Sequence, residues 1–146
     1  MQHLRSRRQW LLSVLPAIVV LLCSSAAVNA QTSAYALGSI GTTWGGEHVR
    51  LQVTTDGATL DFDCASGTIT KPLQVDAQGN FKTTGMFTRE RGGPVMRDGN
   101  QAAAAVYSGS IQNGTMKLTV TSGPQSESQG DYVLVQGKPG HVVKCR

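Results

Sequence analysis

Chemistry in this chain would have to come from a short set of side chains. Cys64 and Cys145 are the two cysteines beyond the first thirty residues, with 80 residues between them, no Cys-x-x-Cys and no neighbouring Cys/His cluster. An even pair without metal-ligand spacing points to a disulfide rather than to a catalytic or metal-binding thiol. His48 and His141 are the only histidines after His3, and neither has a serine, cysteine or carboxylate at a recognisable catalytic spacing. Asp61 and Asp63 stand two apart on one strand face and, with Glu47 and His48 close in sequence, could hold a cation. The simpler reading is solvated charges that blunt edge-to-edge association. The sequence therefore assigns no catalytic residue, metal ligand or cofactor. The richest loop is Arg89-Glu90-Arg91-Gly92-Gly93-Pro94-Val95-Met96-Arg97. Three arginines around a glycine pair and a proline make a bent cationic segment beside Val95 and Met96, suited to an anionic or protein partner. Arg89, Glu90, Arg91, Val95, Met96 and Arg97 are thus the candidate partner-binding residues, against the plain alternative of a long solvated connection.

The elements that must position these residues follow from a period of two. Val49, Leu51 and Val53 alternate with His48, Arg50 and Gln52; Thr55-Asp56-Gly57 supplies left-handed turn residues; then Ala58, Leu60, Phe62 and Cys64 alternate with Thr59, Asp61 and Asp63. This predicts a β-hairpin with one buried face. A link over 66–72 leads to a strand carrying Leu73 and Val75. A turn over 76–80 leads to a strand over 81–90 on which Phe81, Thr83, Gly85 and Phe87 share a face. Asn113-Gly114 is the strongest turn signal in the chain, and a two-residue turn there sets Ile111 opposite Met116, Gly109 opposite Leu118 and Tyr107 opposite Val120. A last pair, 131–136 and 141–145, is joined by Gly137-Lys138-Pro139-Gly140. The alanine-rich 101–105 is too short for an independent helix. Eight short antiparallel strands with one buried face must close or stack. The expected fold is all-β, an eight-stranded antiparallel up-and-down barrel closed by a Cys64–Cys145 disulfide, with a β-sandwich as the alternative.

The leader has a separate character. Arg5, Arg7 and Arg8 precede an apolar run from Trp10 to Cys23, and small residues end at Val28-Asn29-Ala30. This reads as a signal peptide over 1–30, cut after Ala30, too short and wrongly flanked for a membrane span. Ser6-Arg7-Arg8-Gln9-Trp10-Leu11 resembles the twin-arginine export motif, with Leu12 where lysine is common. Leu22 before Cys23 argues against a lipoprotein anchor. All three basic residues of the leader count toward the chain's 13 Lys+Arg, so 10 basic residues face 9 acidic ones in 31–146, a net of +1. That near-neutral body excludes a basic stripe for nucleic acid, and no transmembrane segment remains. The 17 glycines all fall in the same 116 residues, about 15% of them, roughly twice ordinary usage. Residues 31–47 read as a flexible N-terminal arm and 48–146 as the barrel, in a periplasmic or secreted protein.

The expected inward set is Val49, Leu51, Val53, Leu60, Phe62, Leu73, Val75, Phe81, Phe87, Tyr107, Ile111, Met116, Leu118, Val120, Tyr132 and Leu134. Two such residues per strand nearly fill an eight-stranded barrel, which holds at most one small ligand. Gly85 and Gly109, with small Ala105 near them, leave room for a shallow pocket at one mouth. Gly41-Thr42-Thr43-Trp44 before the first strand, with Val49, Leu51, Val53 and Asp56-Gly57 after it, resembles the opening of calycin-type barrels, the lipocalins and avidins. Two residues separate glycine from tryptophan here, where those families have one, and the likeness covers about 20 residues. It implies a barrel and, at most, a small apolar ligand near Trp44, which makes Trp44, Tyr107 and Phe87 candidate ligand-binding residues. The whole chain is also similar to small exported bacterial proteins. The expected function is ligand or protein-partner binding by an exported, non-catalytic barrel. The alternatives are a periplasmic inhibitor of a secreted hydrolase, a structural cell-envelope protein or, less favoured, a small enzyme.

Overall fold

In the computed structural model the chain divides into two units, residues 1–30 and 31–146; the structure describes residues 35–37, 42–91 and 102–145, all in the second. The leader, most of residues 31–41, and Val95, Met96 and Arg97 lie outside the described residues. Among the described residues ten strands are present: β1 (Tyr35–Ala36), β2 (Thr42–Gly46), β3 (Val49–Val53), β4 (Ala58–Phe62), β5 (Ala65–Ile69), β6 (Gln74–Val75), β7 (Asn80–Arg89), β8 (Ala102–Gln112), β9 (Thr115–Ser122) and β10 (Glu127–Gln136). Eight of them form a closed antiparallel barrel in the order β10-β2-β3-β4-β5-β7-β8-β9, and β1 pairs β6 apart from it. Closure gives each of the eight barrel strands a neighbour on both sides. The barrel, not the sandwich, is what forms.

The register around Asn113-Gly114 follows the local chemistry. Ile111 faces Met116, Gly109 faces Leu118 and Tyr107 faces Val120, and both turn residues take positive φ, 49° and 73°, as a type I′ hairpin requires. The other anticipated turn differs. Residues 54–57 close the β3–β4 hairpin through the Thr54 N–H donating to the Gly57 carbonyl at 2.9 Å, without a left-handed residue among them. Gly57 is needed instead because a side chain there would run into the Ile69 carbonyl of β5.

Strand membership shifts at four places. The barrel begins at Thr42, inside the expected 31–47 arm, because β2 completes the ring between β3 and β10. The expected link 66–72 overlaps β5, which starts at Ala65 and whose inward residues Ala65, Gly67 and Ile69 are small or branched. The segment with Leu73 and Val75 is a strand only for two residues, paired with Tyr35 and Ala36. Both apolar side chains are nonetheless buried in the core, so this link seals the barrel end where Gly79 meets Ile111 through the Ile111 N–H, 2.8 Å from the Gly79 carbonyl. Residues 141–145 form no strand; they belong to an extended strap on the outside of β2 and β3.

The interior is filled. Fourteen of the sixteen expected inward residues are buried, and Ile111 and Tyr132 pack against that core half-buried; Trp44, Ala58, Ala65, Ile69 and Ala105 join it. The room expected above Gly85 and Gly109 is occupied. The Tyr107 ring lies against Gly85 and Gly67, and the Phe81 ring lies against Gly109. Tyr107 donates its hydroxyl to the Met86 carbonyl at 2.7 Å, which satisfies its one polar group inside an apolar shell. Burial pushes its phenol up to about 12.

Candidate functional site

Two neighbouring tight turns build the rim opposite that sealed end. Glu47-His48 joins β2 to β3 between the paired Gly46 and Val49, and Asp63-Cys64 joins β4 to β5 between the paired Phe62 and Ala65. Each is an acidic residue followed by a non-glycine residue in the left-handed region, His48 at φ 66° and Cys64 at φ 55°. A two-residue hairpin turn requires such a conformation here, although each non-glycine residue held there costs of order 1 kcal/mol. The turns are hydrogen-bonded to each other: the Asp63 N–H reaches the His48 carbonyl at 3.3 Å, and His48 Nδ1 lies 2.6 Å from Asp63 Oδ2.

The strap, residues 137–145, runs onto this rim. Its Gly140 packs on Gly45, where any side chain on either glycine would strike backbone. Arg50 donates Nε–H to the Pro139 carbonyl at 2.8 Å. The His141 N–H donates to the Gly46 carbonyl at 2.9 Å and its own carbonyl accepts from the His48 N–H at 2.7 Å. Further on, the Val143 N–H donates to Asp63 Oδ1 at 2.7 Å, and Lys144 Nζ lies 3.4 Å from Asp61 and 3.5 Å from Glu90. Cys145 then closes the disulfide to Cys64, with Cα atoms 4.9 Å apart. The expected bridge is therefore present, tying a tail rather than a final strand to the β4–β5 turn. Its partner turn also holds the start of the arginine loop, since the Glu90 N–H donates to the Cys64 carbonyl at 2.7 Å. Arg89 is held by Gln129, whose Oε1 accepts from Nη2 at 2.7 Å, and Arg91 is exposed. Below the polar rim Phe62 packs on Phe87 and Tyr132, with ring centroids 5.7 and 5.0 Å away.

Each histidine does find a carboxylate, His48 with Asp63 and His141 with Glu47 at 3.5 Å, but the two imidazoles are 64% and 69% exposed. Pairs so open to water are weak and screened, and their visible work is to fasten turns and strap. Among the described residues no group of three His, Cys, Asp or Glu side chains is placed to hold a metal. Asp63 accepts a hydrogen bond from the Val143 N–H and pairs with His48, Asp61 meets Lys144, and Glu47 meets His141. The Asp63 carboxyl is held below its ordinary value of 3.8, chiefly by the Val143 N–H and then by His48, against some opposing desolvation. A carboxylate with a lowered folded pKa stabilises the fold above its unfolded pKa and loses that contribution as pH falls through the folded one. The Val143 amide proton shift should therefore titrate with a midpoint under 3.8, and His48→Ala should move that midpoint upward; a pH-independent Val143 shift would contradict the assignment.

The three ligand candidates are elsewhere. Trp44, Tyr107 and Phe87 are 1%, 0% and 7% exposed within the core. Only the Trp44 indole nitrogen among described buried side-chain atoms lacks a hydrogen-bond partner. Sequence reasoning grouped Glu47, His48, Asp61 and Asp63 but missed that the strap joins them, because that contact depends on the β2–β3 and β4–β5 turns standing side by side. The signal available was the repeated acidic-then-His/Cys pair at the ends of alternating segments. Comparison with known proteins gave no match to a family model, to a curated protein or to a solved structure.

Proposed function

We propose that this is an exported, non-catalytic β-barrel that binds a protein partner through the rim carrying Arg89 and Arg91, with inhibition of a secreted hydrolase as its concrete form. The observation that carries the reading is the filled interior. Tyr107 and Phe81 occupy the space over the inner glycines, so an apolar ligand would have to displace packed side chains to touch Trp44, Tyr107 or Phe87. Recognition then falls to the outside, where loops fixed on a rigid barrel are suited to it. The rim is held by two tight turns, the strap and a disulfide. Two arginines at its margin offer planar, multidentate donors to a partner's carboxylates. Export is supported by the leader, by a disulfide of the kind that persists in oxidising compartments, and by the absence of a membrane-crossing helix among the described residues.

The test measures binding and inhibition of secreted glycosidases and proteases by residues 31–146. Arg89→Ala and Arg91→Ala are each expected to weaken the interaction about tenfold, equivalent to roughly 1.4 kcal/mol, with the melting temperature unchanged. Inhibition by both variants as strong as that of the parent protein would remove the loop from the interface. Quenching of Trp44 fluorescence by an apolar probe at micromolar concentration would restore the small-ligand reading.

A further inference from the structure

The strap does more than cover backbone. We propose that the Cys64–Cys145 disulfide is a reducible latch that sets the order of the Glu90–Arg91 rim segment; this rests on the partner-binding reading above and assigns its regulation. Three observations converge on it. First, the bridge is reachable, since Cys145 is exposed at the strap end while Cys64 is half-buried in its turn. Second, beyond His141 the other strap attachments among the described residues are solvent-exposed polar contacts, Val143 to Asp63 and Lys144 to Asp61 and Glu90. Contacts of this kind are individually weak in water. Third, the bridge is coupled to the rim on both sides. The Cys64 carbonyl holds the Glu90 N–H, and Lys144, the neighbour of Cys145, holds the Glu90 carboxylate. Glu90 lies between the two arginines.

The reaction is thiol–disulfide exchange with a dithiol reductant. A reductant thiolate attacks the exposed Cys145 sulfur, the Cys64–Cys145 bond breaks, and Cys64 leaves as a thiolate that takes up a proton. The reductant's second thiol then attacks the mixed disulfide and releases the Cys145 thiol. Two electrons pass to the protein and the reductant ends as its own disulfide. The strap end, left with exposed contacts only, comes away and takes Lys144 from Glu90. The Glu90–Arg91 segment passes from fixed to mobile while the ladder-bonded strands, Arg89 at the end of β7 included, stay in place.

Nitrogen-15 relaxation on residues 31–146, oxidised and after dithiothreitol, reads this in the free protein. Its failure is therefore distinct from a failure of hydrolase binding. Order parameters for 143–145, Glu90 and Arg91 should fall from about 0.85 to below about 0.6 on reduction, with Tyr107, Leu118 and Val120 staying near 0.85. A strap that stays rigid with both thiols free overturns the latch, and so does a spectrum that collapses throughout. Arg50→Ala and Asp63→Asn, kept oxidised, supply the control that does not depend on the reduced barrel folding. Residues 144–145 and Glu90 should remain ordered in both, and loosening with the bridge intact would place the latch in the hydrogen bonds instead.

Discussion

Trp44→Ala is expected to lower the unfolding free energy by about 3–5 kcal/mol, the usual cost of emptying a large aromatic site in a packed core. Trp44 is the largest of the fully buried side chains, and it sits on β2, the strand through which the barrel closes. Trp44→Phe separates volume from polarity. It keeps most of the ring and removes an indole N–H that has no acceptor, a buried group whose desolvation opposes folding by about 1–3 kcal/mol. The phenylalanine variant should therefore lie within about 1.5 kcal/mol of the parent, with urea midpoints followed by far-UV circular dichroism as the measurement. Equal losses in the two variants would mean that the N–H contributes to stability.

Breaking the disulfide should produce a comparable loss. Closing a loop over a separation of 81 residues restricts the unfolded chain by roughly 4.5 kcal/mol on the chain-entropy account, the upper figure for what Cys145→Ser removes. Folding free energies of small domains are about 5–15 kcal/mol, so the variant should fold with a markedly lower urea midpoint. An unchanged slope of the transition would place the effect in stability rather than in compactness. A loss under about 1 kcal/mol would mean that the unfolded chain already keeps the two cysteines near one another.

How far the sequence could be read depended on whether each structural cause was local. Asn113-Gly114 fixes its own hairpin, and with it the facing of six residues, since turn geometry and alternation agree without help from distant chain. The inward pattern of β3, β4, β7 and β9 was legible for the same reason. Thr42–Gly46 was obscured by Gly45 and Gly46. Those glycines are required by Gly140 and the Val133 carbonyl, approaches that only the folded chain creates. Gly67 hid β5 in the same way, because its missing side chain is replaced by the Tyr107 ring. The alternation in 141–145 imitated a strand, though what those residues meet is the outside of other strands and two turns. Conversely, the cysteine pairing was readable from count and spacing, while the carboxylate–histidine contacts at the rim were not, since each joins residues from separate turns or from turn and strap.

The ladder between β2 and β10 has only two residue pairs, Val135 with Gly45 and Gln136 with Trp44, against eight between β9 and β10. Its members come from opposite ends of the sequence, whereas the other ladders join strands that follow one another closely. Hairpins such as that at Asn113-Gly114 can thus assemble while the chain is still emerging, but the cylinder becomes complete only once the final strand is free to meet the first. Until that moment the tryptophan side chain has no wall on one flank. A stalled or prematurely released chain would accordingly be a curled open sheet with a wet aromatic at its margin, the species most exposed to proteolysis and to association with its own kind.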